Sequence, residues 1–348
     1  GKLLSPSKMK VAGVIDVLTK KDDLLSTAKE WVLTATDSDC VKPWDEKGYK
    51  MPGGAPYHPN GFMTFAGASV MVNSKTQGAF PAAKALLSAV YEGALVPFDI
   101  ALKVEARWFT NILMNPSSEA MIRSLFINKE ALEKGAVRPK NISDQKVRKV
   151  GVLGAGMMGA GISYVSALAG IEVVLLDMKK EDAEKGKTHA ENILNVGIKR
   201  KKITEEKKLS VLSLINTTTD FKDLSGCDLI VEAVFEDPEI KARVTKKAEL
   251  IVDKDCIFAT NTSTLPITSL ASASIRPEQF IGIHFFSPVD KMLLAEIIKG
   301  SATGSKAVAK ALDYVRQIKK TPIVVNDARF FYANRCIIPY VNEGAMMV

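Results

Sequence analysis

Between Val150 and Ile171 the chain runs for 22 residues without a charged side chain, and Gly151, Gly154, Gly156, Gly159 and Gly161 crowd the first half of that stretch. Length and apolarity alone would suit a bilayer crossing. A helix over these residues would lose roughly 1 kcal/mol at each glycine. A strand, a tight turn and a helix explain the same residues better, so no transmembrane segment is expected.

The surroundings specify which turn this is. Val147–Leu153 reads as a strand leading into Gly154-Ala155-Gly156-Met157-Met158-Gly159, which opens a helix. A second strand, Glu172 to Leu176, ends at Asp177, 18 residues after Gly159. In that context the glycines predict a dinucleotide site. Gly154 permits the turn, Gly156 lets backbone approach a pyrophosphate, and Gly159 allows close helix–strand packing. The helix N-terminus offers N–H groups to the anion. Asp177 would accept from an adenosine ribose and repel a 2′-phosphate, favouring NAD over NADP, although Lys179 and Lys180 weaken that preference slightly.

The rest of the chain fits around this unit. Its 348 residues suggest about two domains, and 47% apolar with 25% charged residues excludes disorder and fibrous repeats. Strands are predicted at Val147–Leu153, Glu172–Asp177, Asp228–Glu232, Cys256–Thr260, Phe280–Phe285, Met292–Ile298 and Pro322–Val325, with helices between most of them. The predicted class is α/β, a doubly wound Rossmann-type domain over residues 146–326. Upstream the chain reads as mainly helical and loop-rich. A short strand at Val11–Val17 and an amphipathic helix fill residues 1–34. A loop-rich connector covers 35–80, loop-like above all over 36–62, and a helical linker region covers 81–145, broken at Pro97. Gly135 to Lys140, basic and Pro-containing, is the expected domain boundary. A helix is expected from Phe330, within a segment 327–348 that the chain stops inside, so the sequence looks cut.

Four separated cysteines (Cys40, Cys227, Cys256, Cys336) argue against a disulfide framework or zinc site and for a reducing compartment. Three scattered histidines suggest no metal centre. The first ten residues hold three lysines and no long apolar core, so no signal peptide is expected. One histidine stands out. If Phe280–Phe285 and Met292–Ile298 form a hairpin centred near Asp290, His284 faces Glu296. A carboxylate beside an imidazole fixes its tautomer and steadies the imidazolium, which suits proton removal from a hydroxyl. A structural histidine remains the alternative from spacing alone.

These residues together resemble the NAD-binding domain of L-3-hydroxyacyl-CoA dehydrogenases. The resemblance runs from about Lys149 to Tyr340, through Gly154–Ser163, Glu232-Ala233-Val234-Phe235-Glu236, Asn261-Thr262-Ser263-Thr264-Leu265, His284-Phe285-Phe286-Ser287-Pro288-Val289 and Asn334-Arg335. It implies oxidation of L-3-hydroxyacyl-CoA with NAD as cofactor. It also implies His284 as catalytic base, Glu296 as its orienter, and Ser263 and Asn334 as substrate contacts. Gly154, Gly156, Met157, Met158, Gly159, Asp177, Ala233, Glu236, Lys241 and Asn261 match cofactor-side positions. Ala101–Phe109 and Met121–Phe126 resemble the connection in multifunctional fatty-oxidation enzymes, where an enoyl-CoA hydratase domain of crotonase-like fold precedes the dehydrogenase. By that likeness residues 1–34 are the tail of a hydratase and 327–348 the start of a helical C-terminal domain. Two departures stand out: Ser287 where many relatives have Asn, and Asp327-Ala328-Arg329-Phe330-Phe331 in place of Asp-x-Pro-Gly-Phe.

The net charge of +8 is densest at Lys199-Arg200-Lys201-Lys202 and Lys207-Lys208. The resemblance makes coenzyme A phosphates its target; a solvated face shared with Glu205 and Glu206 is the plainer reading. Aromatic residues, 7% overall, do not interleave with it, so nucleic acid is not an expected partner. Acyl-CoA is the expected substrate, a thiolase beta subunit and a second copy of the chain are candidate partners, and a bacterial cytoplasm is the expected location, or mitochondria or peroxisomes in a eukaryote. Two other readings stay open: a Rossmann dehydrogenase of another hydroxy acid, and a non-catalytic NAD-binding fragment.

Overall fold

The computed structural model describes residues 3–348, in two compact units that divide between Ala120 and Met121. The described elements of the first are helical: α1 (Pro6–Val11), α2 (Leu24–Thr34), α3 (Asp37–Cys40), α4 (Pro59–Thr76), α5 (Pro81–Gly93) and α6 (Phe98–Leu113), with α7 (Pro116–Ile122) carrying the dividing point. The strand expected at Val11–Val17 is absent. Its first residue ends α1, Gly13 turns the chain at φ +73°, and Asp16 pairs with Lys42 at 3.1 Å. No other strand lies in this unit among the described residues, so a β segment there would have no ladder for its backbone groups.

The connector expected over 35–80 is also partly wrong, because α4 occupies 18 of those residues. Pro59 presets the first helical turn, and His58 Nδ1 accepts the Asn60 N–H at 3.4 Å. Gly61, which reads as loop punctuation, is there because a Cβ would meet the Ala55 carbonyl oxygen at 2.0 Å. Glu92 ties α5 to α6 by accepting from Trp108 Nε1 at 2.9 Å and from Arg107. Among the described residues of this unit only Pro56, Gly61 and Ala85 are buried.

The second unit continues through α8 (Lys129–Glu133) to an eight-stranded sheet. Its elements are β1 (Lys149–Leu153), α9 (Met157–Leu168), β2 (Glu172–Leu176), α10 (Lys180–Lys199), α11 (Glu205–Leu212), β3 (Ile215–Thr218), β4 (Leu229–Glu232), α12 (Pro238–Glu249), β5 (Ile257–Thr260), α13 (Ile267–Ala271), β6 (Phe280–Phe285), β7 (Leu294–Lys299), α14 (Ser305–Gln317), β8 (Thr321–Asn326) and α15 (Ala333–Met346). The strand order is β3-β2-β1-β4-β5-β6-β7-β8, parallel as far as β6; β7 then runs antiparallel to β6, and β8 parallel to β7. This is a doubly wound Rossmann sheet with a reversed pair added at one edge.

Helices cover both faces, so the strands read as unbroken apolar runs. Val150, Val152, Val173 and Leu175 enter one core with Ile162 of α9 and Leu194 of α10; Leu153, Val174, Leu176 and Ile230 enter the other with Ala248 of α12 and Ile267 of α13. β3 lies outside the strands expected from the sequence. It is an edge strand whose Asn216, Thr217 and Thr218 are polar, and only Ile215 is buried.

The expected boundary at Gly135–Lys140 lies inside the second unit. Arg138 makes a bidentate pair with Asp313 of α14, Nε to Oδ1 and Nη2 to Oδ2 at 2.8 Å each, and also donates to the Ile142 carbonyl at 2.6 Å. Arg316 of α14 donates to the Glu133 carbonyl at 2.7 Å. A Pro-containing basic run reads as a linker; a buried carboxylate partner for its arginine makes it a strap. The helix expected from Phe330 begins at Ala333, because Phe330 and Phe331 hold positive φ, +66° and +49°.

Candidate active site

Strands β1, β4, β5 and β6 run parallel, so their C-terminal ends share one edge, the edge where doubly wound sheets bind ligands. Gly154, Ala233 and Asn261 follow directly on β1, β4 and β5, and His284 is the penultimate residue of β6. At Gly154, φ is +96° and a Cβ would come within 2.7 Å of the Ala233 carbonyl oxygen. The two loops touch backbone to backbone, which only glycine allows. Gly159 packs as closely, 1.7 Å from its ideal Cβ to the Gly154 oxygen, while Gly156 faces open space.

The residues present fit a dinucleotide. Gly156 is the N-cap of the twelve-residue α9, and no side chain caps that end. The N–H groups of its first turn therefore have no side-chain cap, and with the helix dipole they suit an anion. Asp177 Oδ2 accepts from the Ala155 N–H at 2.6 Å and Oδ1 from Met178 N–H at 2.7 Å, so the carboxylate and the turn hold each other. Met157 is exposed on the first turn of α9, whereas Met158 packs into the apolar core beside it.

A buried charge network backs this edge. Lys241 is 2% exposed and not the solvent-facing helix lysine its setting suggests. Its Nζ lies 2.8 Å from Glu232 Oε1 and 3.2 Å from Glu236 Oε2. Glu232 also accepts from Thr260 Oγ1 at 2.7 Å and Val234 N–H at 2.8 Å. Glu236 Oε1 gathers the Thr262 hydroxyl at 2.5 Å and the Ser263 and Thr264 N–H groups at 2.8 and 3.2 Å. Burial pushes the Glu236 carboxyl up, but the Thr262 hydroxyl, the Lys241 charge and the Ser263 N–H outweigh it and hold it below its ordinary range. Ser263 is thereby fixed, and Asn334 Nδ2 donates to its carbonyl at 3.1 Å. Asn261 Oδ1 accepts the Phe285 N–H at 2.9 Å, tying the ends of β5 and β6 together.

Opposite this loop stand His284 and Glu296, paired in register across β6 and β7. Nδ1 and Oε2 are 2.7 Å apart. The other carboxylate oxygen accepts the Tyr332 and Ala333 N–H groups at 3.1 and 2.8 Å. Burial pushes Glu296 up; the His284 bond and those two N–H donors overcome it and keep the carboxyl below its usual range. The imidazole lies between Phe286, centroid to centroid 4.5 Å, and Phe331 at 5.9 Å. A carboxylate on Nδ1 places the proton there and leaves Nε2 as an acceptor.

Glu232, Thr260 and Thr262 join the network, and Phe331 lies beside His284, without being expected from the sequence. Glu232 carried a signal, a lone acid closing the apolar run Leu229-Ile230-Val231. Phe331 carried none.

Residues 149–328 match the family described as 3-hydroxyacyl-CoA dehydrogenase, NAD binding domain. The chain belongs to this family. NAD is accordingly the dinucleotide for which the glycine turn is built. Other members extend the likeness. A fatty acid oxidation complex subunit alpha from Shewanella loihica is 36% identical over 349 residues, covering 100% of this chain and 49% of the relative. The subunit alpha from Idiomarina loihiensis is 34% identical over 339 residues, 97% of this chain and 46% of the relative. The chain thus spans about half the length of such relatives. The (S)-3-hydroxybutyryl-CoA dehydrogenase of Ralstonia eutropha superposes with a TM-score of 0.54 at 38% identity over 57% of this chain and 70% of that one. The 3-hydroxybutyryl-CoA dehydrogenase of Escherichia coli gives 0.56 at 32% identity, over 57% and 42% respectively. Among the described residues no helix is long and apolar enough to cross a membrane.

Proposed function

We propose that the chain carries the dehydrogenase centre of a multifunctional fatty acid oxidation enzyme and oxidises L-3-hydroxyacyl-CoA to 3-oxoacyl-CoA. The observation that carries this reading is the His284–Glu296 pair, buried at the sheet edge that also bears the dinucleotide turn. His284 Nε2 takes the proton of the 3-hydroxyl, and Glu296, bound to Nδ1, steadies the imidazolium that forms. Bound NAD would supply the acceptor for the hydride that leaves the carbon bearing that hydroxyl. Ser263 and Asn334, joined to each other, are assigned to the substrate beside the reacting oxygen. Gly154, Gly156, Met157, Gly159, Asp177, Ala233 and Asn261 are assigned to the cofactor side; Met158 and Lys241 act there through packing and through Glu236.

The exposed Arg200, Lys201 and Lys202 are assigned to coenzyme A phosphates, whereas Lys208 is already paired with Glu191 at 2.9 Å. The name of the Shewanella and Idiomarina relatives supports a beta-subunit partner, a thiolase by the chemistry that follows, and their sources support a bacterial cytoplasm. Enoyl-CoA hydration is proposed for a longer parent and not for any residue described above.

The test is NAD reduction with 3-hydroxybutyryl-CoA against free 3-hydroxybutyrate, alongside NADH binding by fluorescence. The CoA ester should be oxidised and the free acid left untouched. His284→Ala should lower turnover about 10³-fold with NADH affinity changed less than about twofold. Equal use of the free acid would favour another hydroxy-acid dehydrogenase. NADH binding without any turnover would leave a binding fragment.

A further inference from the structure

The loop from Phe286 to Leu293 joins the strands that carry His284 and Glu296, and the acid–base chemistry assigns it no task. Its backbone is held from below by one side chain. Lys320, between α14 and β8, is 5% exposed, and its Nζ donates to the carbonyls of Val289 and Met292 at 2.5 Å each. Pro288 O accepts the N–H groups of Lys291 and Met292 at 3.0 Å, and Leu293 O that of Thr321 at 2.8 Å. On the other side the buried Val289 rests against α9 where Gly161 leaves room; a Cβ on residue 161 would lie 2.8 Å from Val289 Cβ. The loop's leading end touches both halves of the site: Phe286 packs on the His284 ring, and Ser287 Oγ lies 3.5 Å from Met157 Sδ on the first turn of α9.

Burying an ammonium costs free energy unless it is bonded. Burial pushes the Lys320 pKa down, and Asp290 in the loop pulls it partly back. A bound dinucleotide crosses the strand ends with its two halves on either side of the point where the strand order reverses. Asp177, after β2, marks the adenosine half. The nicotinamide half falls toward β4, β5 and β6, the side on which this loop stands.

We propose that Lys320 is a positioning residue: it clamps the Phe286–Leu293 loop, with Gly161 as the seat for Val289, so that the loop fixes the nicotinamide half of the cofactor beside His284. The inference rests on the NAD reading above and deepens it. A clamp of this kind acts on one half of the cofactor only, which separates it from a general contribution to stability.

The experiment titrates NADH and ADP-ribose, which lacks the nicotinamide, into the full chain and into Lys320→Met, Lys320→Arg and Gly161→Ala. Lys320→Met and Gly161→Ala should weaken NADH about tenfold and ADP-ribose by less than about twofold. Lys320→Arg keeps the charge and donors in a larger, planar group, and should retain more NADH affinity than Lys320→Met. Should Lys320→Met fail to fold, Gly161→Ala decides alone, since alanine favours the helix and displaces only the loop. Equal weakening of both ligands, or no weakening of either, overturns the clamp while leaving NAD binding intact. A parent chain that binds neither ligand overturns the NAD reading and the clamp with it.

Discussion

Glu296 does two jobs with its two oxygens. One holds the His284 imidazole; the other takes the two N–H groups that open α15. Because the folded carboxyl titrates below the ordinary carboxylate range, it contributes stability that is present above the unfolded pKa and lost as pH falls through the folded one. Glu296→Gln removes that linkage. Its urea midpoint should lie below that of the parent chain at pH 7, and should fall less steeply as pH is lowered from about 5 to 3. A parallel pair of curves would show that Glu296 is not the carboxylate whose titration matters.

At the scale of elements, the turn between β8 and α15 is the place where this chain pays for a departure. Phe330 stands where the resembling pattern has glycine, and it holds φ +66°. A left-handed conformation costs a side-chain-bearing residue about 1–2 kcal/mol, part of which glycine gives back as unfolded-state entropy. Phe330→Gly should therefore stabilise the chain by about 0.5–1 kcal/mol, seen as a rise of about 1–4 °C in Tm. A fall would mean that the half-exposed ring makes packing contacts worth more than the strain. Phe331, buried against His284, must keep its place. The same turn shows what a sequence can reveal. Strands buried on both faces announce themselves as apolar runs, and the His284–Glu296 register follows from the spacing about Asp290. Polar β3 at the sheet edge does not announce itself. Nor does a lysine such as Lys320 or Lys241, whose letter is the same whether it meets water or a buried carbonyl or carboxylate. Arg138 likewise looks like linker until Asp313 is seen opposite it.

Over the whole molecule, burial is uneven. The first unit buries almost nothing among its described residues, while the second places two apolar cores on the faces of one sheet. That sheet joins pieces of chain with very different separations. Lys149 meets Asp228 across 79 residues, whereas His284 meets Glu296 across only 12. Closing a long loop costs more chain entropy than closing a short one, and non-local pairing is slower. The reversed edge of the sheet is therefore the part that can assemble from neighbouring chain. In refolding, amides of β6 and β7 should gain protection from pulsed hydrogen exchange before those of β1 and β4, and simultaneous protection would refute the order. The proposed acid–base pair would then exist in the chain before the cofactor has anywhere to bind: chemistry first, affinity second.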